Sequence, residues 1–215
     1  SRRARIDDVL SRRTRGLVLV LEGVHDPHNV AACMRTAEGL GLQEIHVVAG
    51  ESYKPHRKVC QGCDKWLDIH QHRTPEAAAA ALRGRGYALY AAALTPDAVP
   101  IDALDFSARI ALVLGNEHEG ISEELQALCD GTFVIPMRGF VQSFNVSVAA
   151  AITLYHATRA RGAALGPDGD LEPQDREALR QRWVEQSVKR AALLKEELAE
   201  REAAGKPSCV PGPRR

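Results

Sequence analysis

The sequence has no long apolar run, few cysteines and no net charge. None of its apolar stretches approaches the roughly 18 residues that a membrane helix needs, and its arginine-rich start is not followed by the apolar core of a signal peptide. Its 5 cysteines are an odd number spread over 215 residues, which is typical of reduced thiols inside the cell. We therefore expect a cytoplasmic protein with one core domain, no disulfides and no membrane segment.

Charge is balanced over the whole chain but not at its start. Lys and Arg number 28, as do Asp and Glu, so the overall charge gives no support for a nucleic-acid partner. Six of the first fifteen residues are nevertheless arginine. This basic stretch is either a solvated tail or an arm that contacts phosphates. The candidate phosphate contacts are Arg5, Arg12 and Arg13, together with Lys58 from the basic segment near Cys60.

Short apolar, β-branched runs alternate with helical patterns along the chain. The predicted strands span 17–21, 45–49, 66–70, 87–93, 110–115 and 133–137. The predicted helices span 29–40, 75–83, 122–128 and 145–161. Parallel neighbours need crossover helices, so this alternation predicts an α/β fold in which helices cover both faces of a largely parallel sheet.

Helix signals and glycines place the boundaries. Asn29 is expected to cap the first of these four helices and Pro75 to open the second, while Gly41 and Gly84 mark helix ends. Three glycines and two prolines predict a linker over 162–173. An amphipathic helix follows, which is expected to dock on the core or on a partner subunit, or alternatively to bind RNA. We predict a basic arm over 1–16, a catalytic domain over 17–161, and a linker, helix and disordered tail over 162–215.

Three polar, glycine-bearing loops follow predicted strands: loop 1 (residues 22–29), loop 2 (115–120) and loop 3 (135–147). Each alone is compatible with an ordinary turn or helix cap. Ligands of an open parallel sheet bind beyond the carboxyl ends of its strands, so together the loops predict one ligand site.

Two other kinds of site are disfavoured. No G-x-G-x-x-G follows the first strand, which argues against a nicotinamide dehydrogenase. Cys60 and Cys63 have zinc-like spacing, and His25 and His28 offer nitrogens, but no second Cys-x-x-Cys pair completes a tetrahedral set. We expect no metal.

The three loops carry a family resemblance. Residues 19–37 (LVLEGVHDPHNVAACMRTA), 112–121 (LVLGNEHEGI) and 135–149 (IPMRGFVQSFNVSVA) resemble, in order, motifs 1, 2 and 3 of the TrmH-type RNA 2'-O-methyltransferases of the SPOUT superfamily. Similarity extends over about residues 4–161. It implies a deep trefoil knot in the carboxyl-terminal part of the sheet, a homodimer, and S-adenosylmethionine bound between the knot loops. The implied cofactor residues are Ala92, Leu94, Leu114, Gly115, Ile135, Met137 and Phe144.

The resemblance also implies catalytic residues. The family's arginine corresponds to Arg35, which acts either as a base or as a phosphate clamp. Because a guanidinium pKa lies above about 12, we favour a charged Arg35 that clamps the target phosphate and stabilises the developing alkoxide. Asn29 would orient Arg35 or the ribose. Glu117, Ser143 and Asn145 would hold Arg35, the target ribose hydroxyl and the knot loop (loop 3) in position relative to one another.

The first residues resemble the short helical arm of tRNA-specific members. We therefore expect methyl transfer to the ribose 2'-hydroxyl of a guanosine, guanosine 18, in the D-loop of tRNA. Two alternatives remain open: ribosomal RNA as the substrate of the same chemistry, and a non-catalytic RNA-binding protein on the same scaffold.

Overall fold

The computed structural model describes residues 2–49, 62–116 and 119–203, with residues 189–203 described by their backbone alone. The chain divides into two compact units. One comprises residues 11–171, and the other combines the segments before and after it. No helix within the described residues is long and apolar enough to cross a membrane.

The larger unit contains a seven-stranded sheet with strand order β3-β2-β1-β6-β4-β7-β5, and every neighbouring pair is parallel. The strands are β1 (Leu17–Glu22), β2 (Glu44–Val48), β3 (Asp68–His72), β4 (Ala88–Ala92), β5 (Val99–Pro100), β6 (Ile110–Leu114) and β7 (Gly131–Val134). The predicted α/β class and parallel sheet are confirmed.

The helices are α1 (Arg2–Leu10), α2 (Pro27–Gly39), α3 (Pro75–Arg83), α4 (Glu123–Ala127), α5 (Val146–Leu165) and α6 (Pro173–Ala203). Short 3-10 helices span Cys63–Lys65 and Ile101–Ala103.

Each predicted strand and helix has a counterpart, but three details differ. Asp26, not Asn29, caps α2, because its carboxylate accepts a hydrogen bond from the backbone N–H of His28 at 2.8 Å. Helix α5 continues through Gly162 to Leu165, so the predicted linker starts too early. The two-residue strand β5 was too short to show any periodicity.

The sheet is buried on both faces. Every residue of β1, β2 and β6 is buried, as expected for parallel strands covered by helices on each side. On one face the buried apolar side chains pack with those of α2 and α5, and on the other with those of α3 and α4.

The register places the strand ends that precede the three loops at one edge. Leu21 of β1 pairs with Leu114 of β6, Ala91 of β4 lies beside Val113 of β6, and Ala92 of β4 pairs with Phe133 of β7. The loops that follow β1, β6 and β7 therefore leave the sheet side by side.

The smaller unit is built from α1 and α6. Ile6 and Leu10 of α1, and Leu179 and Trp183 of α6, are buried. An ion pair of 2.7 Å joins the guanidinium of Arg180 to the carboxylate of Asp7. The buried residues of α6 thus pack with α1.

Candidate functional site

Loop 1 and the segment after loop 2 are joined at the carboxyl end of β1. The carboxylate of Glu22 accepts hydrogen bonds from the backbone N–H of Ser122 at 2.8 Å and from its hydroxyl at 2.7 Å. Glu22 is buried, and a buried carboxylate requires such donors. Ser122 also caps α4. One carboxylate therefore fixes the distance between the two loops.

Loop 3 is joined to α2 by two asparagines. The side-chain amide of Asn145 donates a hydrogen bond to the side-chain oxygen of Asn29 at 3.3 Å. The Asn145 oxygen caps α5, because it accepts hydrogen bonds from the Ser147 N–H at 2.9 Å and from the Ser147 hydroxyl at 2.6 Å. The start of α5 is thereby held beside the start of α2.

Loop 2 folds back tightly on itself. The backbones of Asn116 and Gly120 exchange two hydrogen bonds of 3.1 Å. A Cβ atom added to Gly115 would lie 2.0 Å from the carbonyl carbon of Gly120. A side chain at position 115 would collide with the Gly120 backbone, so glycine is required there for loop 2 to fold back on itself at the end of β6.

A cavity of about 460 Å³ lies between the ends of β4, β6 and β7. It borders all seven residues predicted to bind the cofactor: Ala92, Leu94, Leu114, Gly115, Ile135, Met137 and Phe144. Ser143 borders it as well. Such a volume is ordinary for a small-molecule site.

The prediction missed several polar residues that line this cavity, among them Thr95, Gln126 and Gln142. Thr95 follows directly on Leu94, and Gln142 lies within motif 3, so both were within reach of the sequence. Gln126 lies on α4, and only the packing of α4 brings it to the cavity.

Arg35 lies on α2 and is exposed. Its side chain makes no hydrogen bond or ion pair with any residue that the structure describes. At 1.5 Å per residue, its Cα lies about 9 Å along the helix from that of Asn29. Loop 1 is thus joined to loop 3 and to the segment after loop 2, while the exposed Arg35 side chain has no ion-pair partner within the described residues. Glu117 lies outside the described residues.

The predicted phosphate contacts differ from one another. Arg12 and Arg5 are exposed, and Arg5 forms an ion pair of 2.6 Å with Asp8. Lys58 lies outside the described residues, as does Cys60, whereas Cys63 is buried in the core.

The structure contradicts the prediction that Arg13 contacts phosphates. Its side chain is fully buried, donates to the carbonyl of Leu42 and forms an ion pair of 2.7 Å with Glu38. Burial lowers the pKa of Arg13, and Glu38 opposes this shift. A guanidinium held in this way is not available to a phosphate, so Arg13 has a structural role.

The sequence profile of the SpoU rRNA Methylase family matches residues 16–155. The chain belongs to this family. It is 42% identical over 162 residues to a tRNA (guanosine(18)-2'-O)-methyltransferase of Thermus thermophilus, covering 75% of this chain and 84% of the relative. The corresponding Escherichia coli K12 protein is 40% identical, with 75% and 71% covered. The predicted TrmH-type resemblance is confirmed.

Solved structures agree with the family assignment. A TrmH/SpoU tRNA-modifying enzyme of A. aeolicus matches with a TM-score of 0.78 and 30% identity, covering 87% of this chain and 96% of that one. An AdoMet-bound rRNA methyltransferase from Sinorhizobium meliloti matches with a TM-score of 0.61 and 26% identity, covering 72% and 59%. S-adenosylmethionine is the methyl donor of this family.

Proposed function

We propose that this SpoU methylase transfers a methyl group from S-adenosylmethionine to the ribose 2'-hydroxyl of guanosine 18 in the D-loop of tRNA, in the cytoplasm. The observation that carries the proposal is the cavity, which borders all seven expected cofactor positions between loops 2 and 3. The identity to two relatives named for this reaction supports the choice of tRNA over ribosomal RNA.

The residues around the cavity suit the methyl donor. Leu114, Gly115, Ile135 and Met137 offer backbone amides and carbonyls along an apolar wall that suits an adenine ring. Because Gly115 bears no Cβ, loop 2 can close over the end of β6. When bound, the donor supplies an electrophilic sulfonium methyl. The chain must then hold the ribose hydroxyl in line with it, and positioning alone contributes much of the rate.

Arg35 is assigned to the target phosphate. An exposed, charged guanidinium can bind a phosphate through two parallel hydrogen bonds and stabilise the negative charge that develops on the ribose oxygen. Asn29 and Asn145, joined at 3.3 Å, hold the start of α2 against loop 3, and Ser143 lies at the cavity. These residues hold Arg35, which clamps the phosphate, at a fixed distance from the cofactor site. Glu117, which belongs to motif 2, is assigned the same positioning role.

We assign the trefoil knot of the resemblance to loop 3 and α5. Helix α5 follows β7 but packs against β6, β1 and α2, nearer the middle of the sheet. It also contacts the connector between β4 and β6, where Arg161 donates hydrogen bonds of 2.7 Å to the carbonyls of Phe106 and Ala108. A chain segment that is threaded through the β4–β6 connector to form a knot would contact both the sheet and that connector, as α5 does.

We also propose that the enzyme works as a homodimer whose contact surface includes α5. Val148 and Tyr155 are large apolar side chains exposed on this helix, seven residues apart and so on the same side. Phe140 in loop 3 is fully exposed. A second copy of the chain would cover them and complete the site around Arg35. For the RNA, Arg5, Arg12 and Lys58 are the proposed contacts, and the buried Arg13 is not one of them.

The test is to incubate the full chain with labelled S-adenosylmethionine and either unmodified tRNA or ribosomal RNA. Nuclease resistance then maps the 2'-O-methyl group. We expect label at guanosine 18 of tRNA. Label in ribosomal RNA alone would instead establish the alternative substrate. RNA binding without calorimetric binding of S-adenosylmethionine would indicate a non-catalytic protein.

A further inference from the structure

Three side chains with metal-binding atoms meet at the β2–β3 edge of the sheet, apart from the loop cavity. Glu44 and His46 alternate along β2, and His70 of β3 pairs with His46 in the strand register. Side chains at such positions share one face of a sheet. One potential ligand atom from each of the three lies within 4.8 Å of the other two.

One ring nitrogen of His46 is buried without a hydrogen-bond partner among the described residues. The His46 side chain is 1% exposed, and Nε2 forms no hydrogen bond with the described part of the chain. Buried polar atoms are normally paired. The other nitrogen, Nδ1, lies 2.8 Å from Nε2 of His72. When Nδ1–H donates to His72, Nε2 carries a lone pair with no hydrogen-bond donor beside it. Histidines that bind metals have this arrangement: one ring nitrogen binds the ion, and the other donates a hydrogen bond that orients the ring.

His70 and Glu44 are spaced like two ligands of one ion. Nε2 of His70 lies 3.2 Å from Oε2 of Glu44, yet this nitrogen makes no hydrogen bond of acceptable geometry to a described residue. Two atoms bound at about 2.0–2.1 Å to a tetrahedral zinc ion are about 3.3 Å apart. The rings of His46 and His70 stack with centroids 4.7 Å apart. The His70 side chain is 43% exposed and can turn toward an ion.

The Glu44 carboxylate is already contacted by cations and a donor of the chain. It forms ion pairs with Arg15 at 3.0 Å and Arg85 at 2.5 Å, and it accepts a hydrogen bond from the Tyr87 hydroxyl at 2.8 Å. The two arginines oppose a further cation, so an ion at this place would depend on both histidines as well as on the carboxylate.

We propose that Glu44, His46 and His70 bind a divalent transition-metal ion, with zinc as the preferred ion. Two histidines and a glutamate are an established zinc donor set, and water would take the fourth position. The ion would link the edge strand β3 to β2. Binding of this ion does not depend on the proposed methyl transfer.

The first experiment uses the full chain after treatment with a chelator. Calorimetric titration with Zn²⁺ is expected to show one ion bound per chain, and Tm is expected to rise with zinc concentration. With Co²⁺ as the probe, the visible spectrum should show four-coordinate nitrogen and oxygen ligands without a thiolate charge-transfer band. Zinc should also shift the ring nitrogen resonances of His46, a measurement that needs no variant. Absence of zinc binding, or a thiolate band, would overturn the proposal.

Variants then locate the site. His72→Phe removes only the outer hydrogen bond and should weaken zinc binding about tenfold to a hundredfold, whereas His70→Ala removes a ligand and should weaken it more. His28→Ala and Cys60→Ser, which alter two residues of the disfavoured zinc pattern, should bind zinc like the unaltered chain. If His70→Ala is folded by circular dichroism and binds zinc unchanged, the site is not here.

Discussion

Two polar regions of residues 11–171 use the same residue types in opposite ways. Around the start of β2, the Glu44 carboxylate is fully buried and receives Arg15 at 3.0 Å, Arg85 at 2.5 Å and the Tyr87 hydroxyl at 2.8 Å. Near the strand-end loops, Arg35 of α2 and Asn145 of loop 3 are exposed. The first region pairs its charges within the chain, whereas the Arg35 side chain makes no ion pair with a described residue.

The difference follows from the cost of burying charge. A buried ion needs nearly complete pairing, because its partners must replace the water it loses. Arg13 with Glu38 and Arg15 with Glu44 meet this requirement. An exposed guanidinium such as Arg35 keeps its water, so the fold does not require a partner for it. Burial and pairing, more than residue type, therefore identify the arginines that the fold itself needs.

The comparison is tested most strongly at the buried carboxylate. Glu44→Ala should lower the free energy of unfolding by about 3 kcal/mol, because it removes the buried acceptor that Arg15, Arg85 and Tyr87 share. Urea denaturation measures the change. The exposed Glu124→Ala should stay within about 0.5 kcal/mol of the unaltered protein. A loss for Glu44→Ala no larger than that of Glu124→Ala would show that the cluster does not stabilise the fold.

Arg35→Ala should have the opposite profile. We expect turnover with tRNA to fall at least about a hundredfold, equivalent to about 2.7 kcal/mol of transition-state stabilisation. The free energy of unfolding and the calorimetric affinity for S-adenosylmethionine should be unchanged, because Arg35 is exposed and away from the cavity lining. Arg176→Ala, an exposed helix arginine in the smaller unit, should methylate normally. Near-normal turnover of Arg35→Ala would refute the role.

The sequence predicts local elements well and long-range polar contacts poorly. Hydrophobic periodicity placed the principal strands and helices, and the convergence of the three loops followed from the geometry of parallel strands. Periodicity could not predict the hydrogen-bonded pairs that join the loops, because their members are far apart in the sequence. Glu22 and Ser122 are 100 positions apart, and Asn29 and Asn145 are 116 positions apart. Such pairs depend on the folded path of the chain.

The wrong predictions have related causes. Arg13 lies in a basic stretch, but its role is decided by Glu38 and Leu42, which only the fold brings to it. Asn29 is a good capping residue, yet Asp26 lies directly before Pro27, which is preferred at the first helical position. Local sequence preferences identify candidate residues for a role. The folded structure then decides which candidate takes it, through a competing neighbour as at Asp26 or through distant partners as at Arg13.

Asn145→Ala tests the join between loops 3 and 1. Turnover should fall about a hundredfold, because loop 3 loses its hydrogen bond to Asn29 and α5 loses its cap. The free energy of unfolding should fall by only about 1 kcal/mol, as is typical of a lost cap. Thr74→Ala removes the cap of α3 instead, and should cost similar stability without the loss of turnover. Equal turnover losses in the two variants would mean that Asn145 acts only through stability.

The smallest expected effect concerns Asp170, a structural carboxylate near the end of the larger unit. It accepts hydrogen bonds from the Thr14 hydroxyl at 2.6 Å, the Arg15 N–H at 2.6 Å and the Arg161 guanidinium at 2.6 Å. Burial alone would raise the pKa of Asp170, but these donors outweigh it and lower that pKa.

The stabilisation is therefore present above the unfolded pKa of about 3.9 and is lost as pH falls through the lower pKa of the folded state. Asp170→Asn should lower the free energy of unfolding by about 1–3 kcal/mol at neutral pH, and the gap to the unaltered protein should narrow below about pH 4. Urea denaturation across this pH range measures it, with the exposed Asp97→Asn as the control. A gap that stays constant with pH would mean that the amide disrupts packing and that the charge of Asp170 contributes nothing.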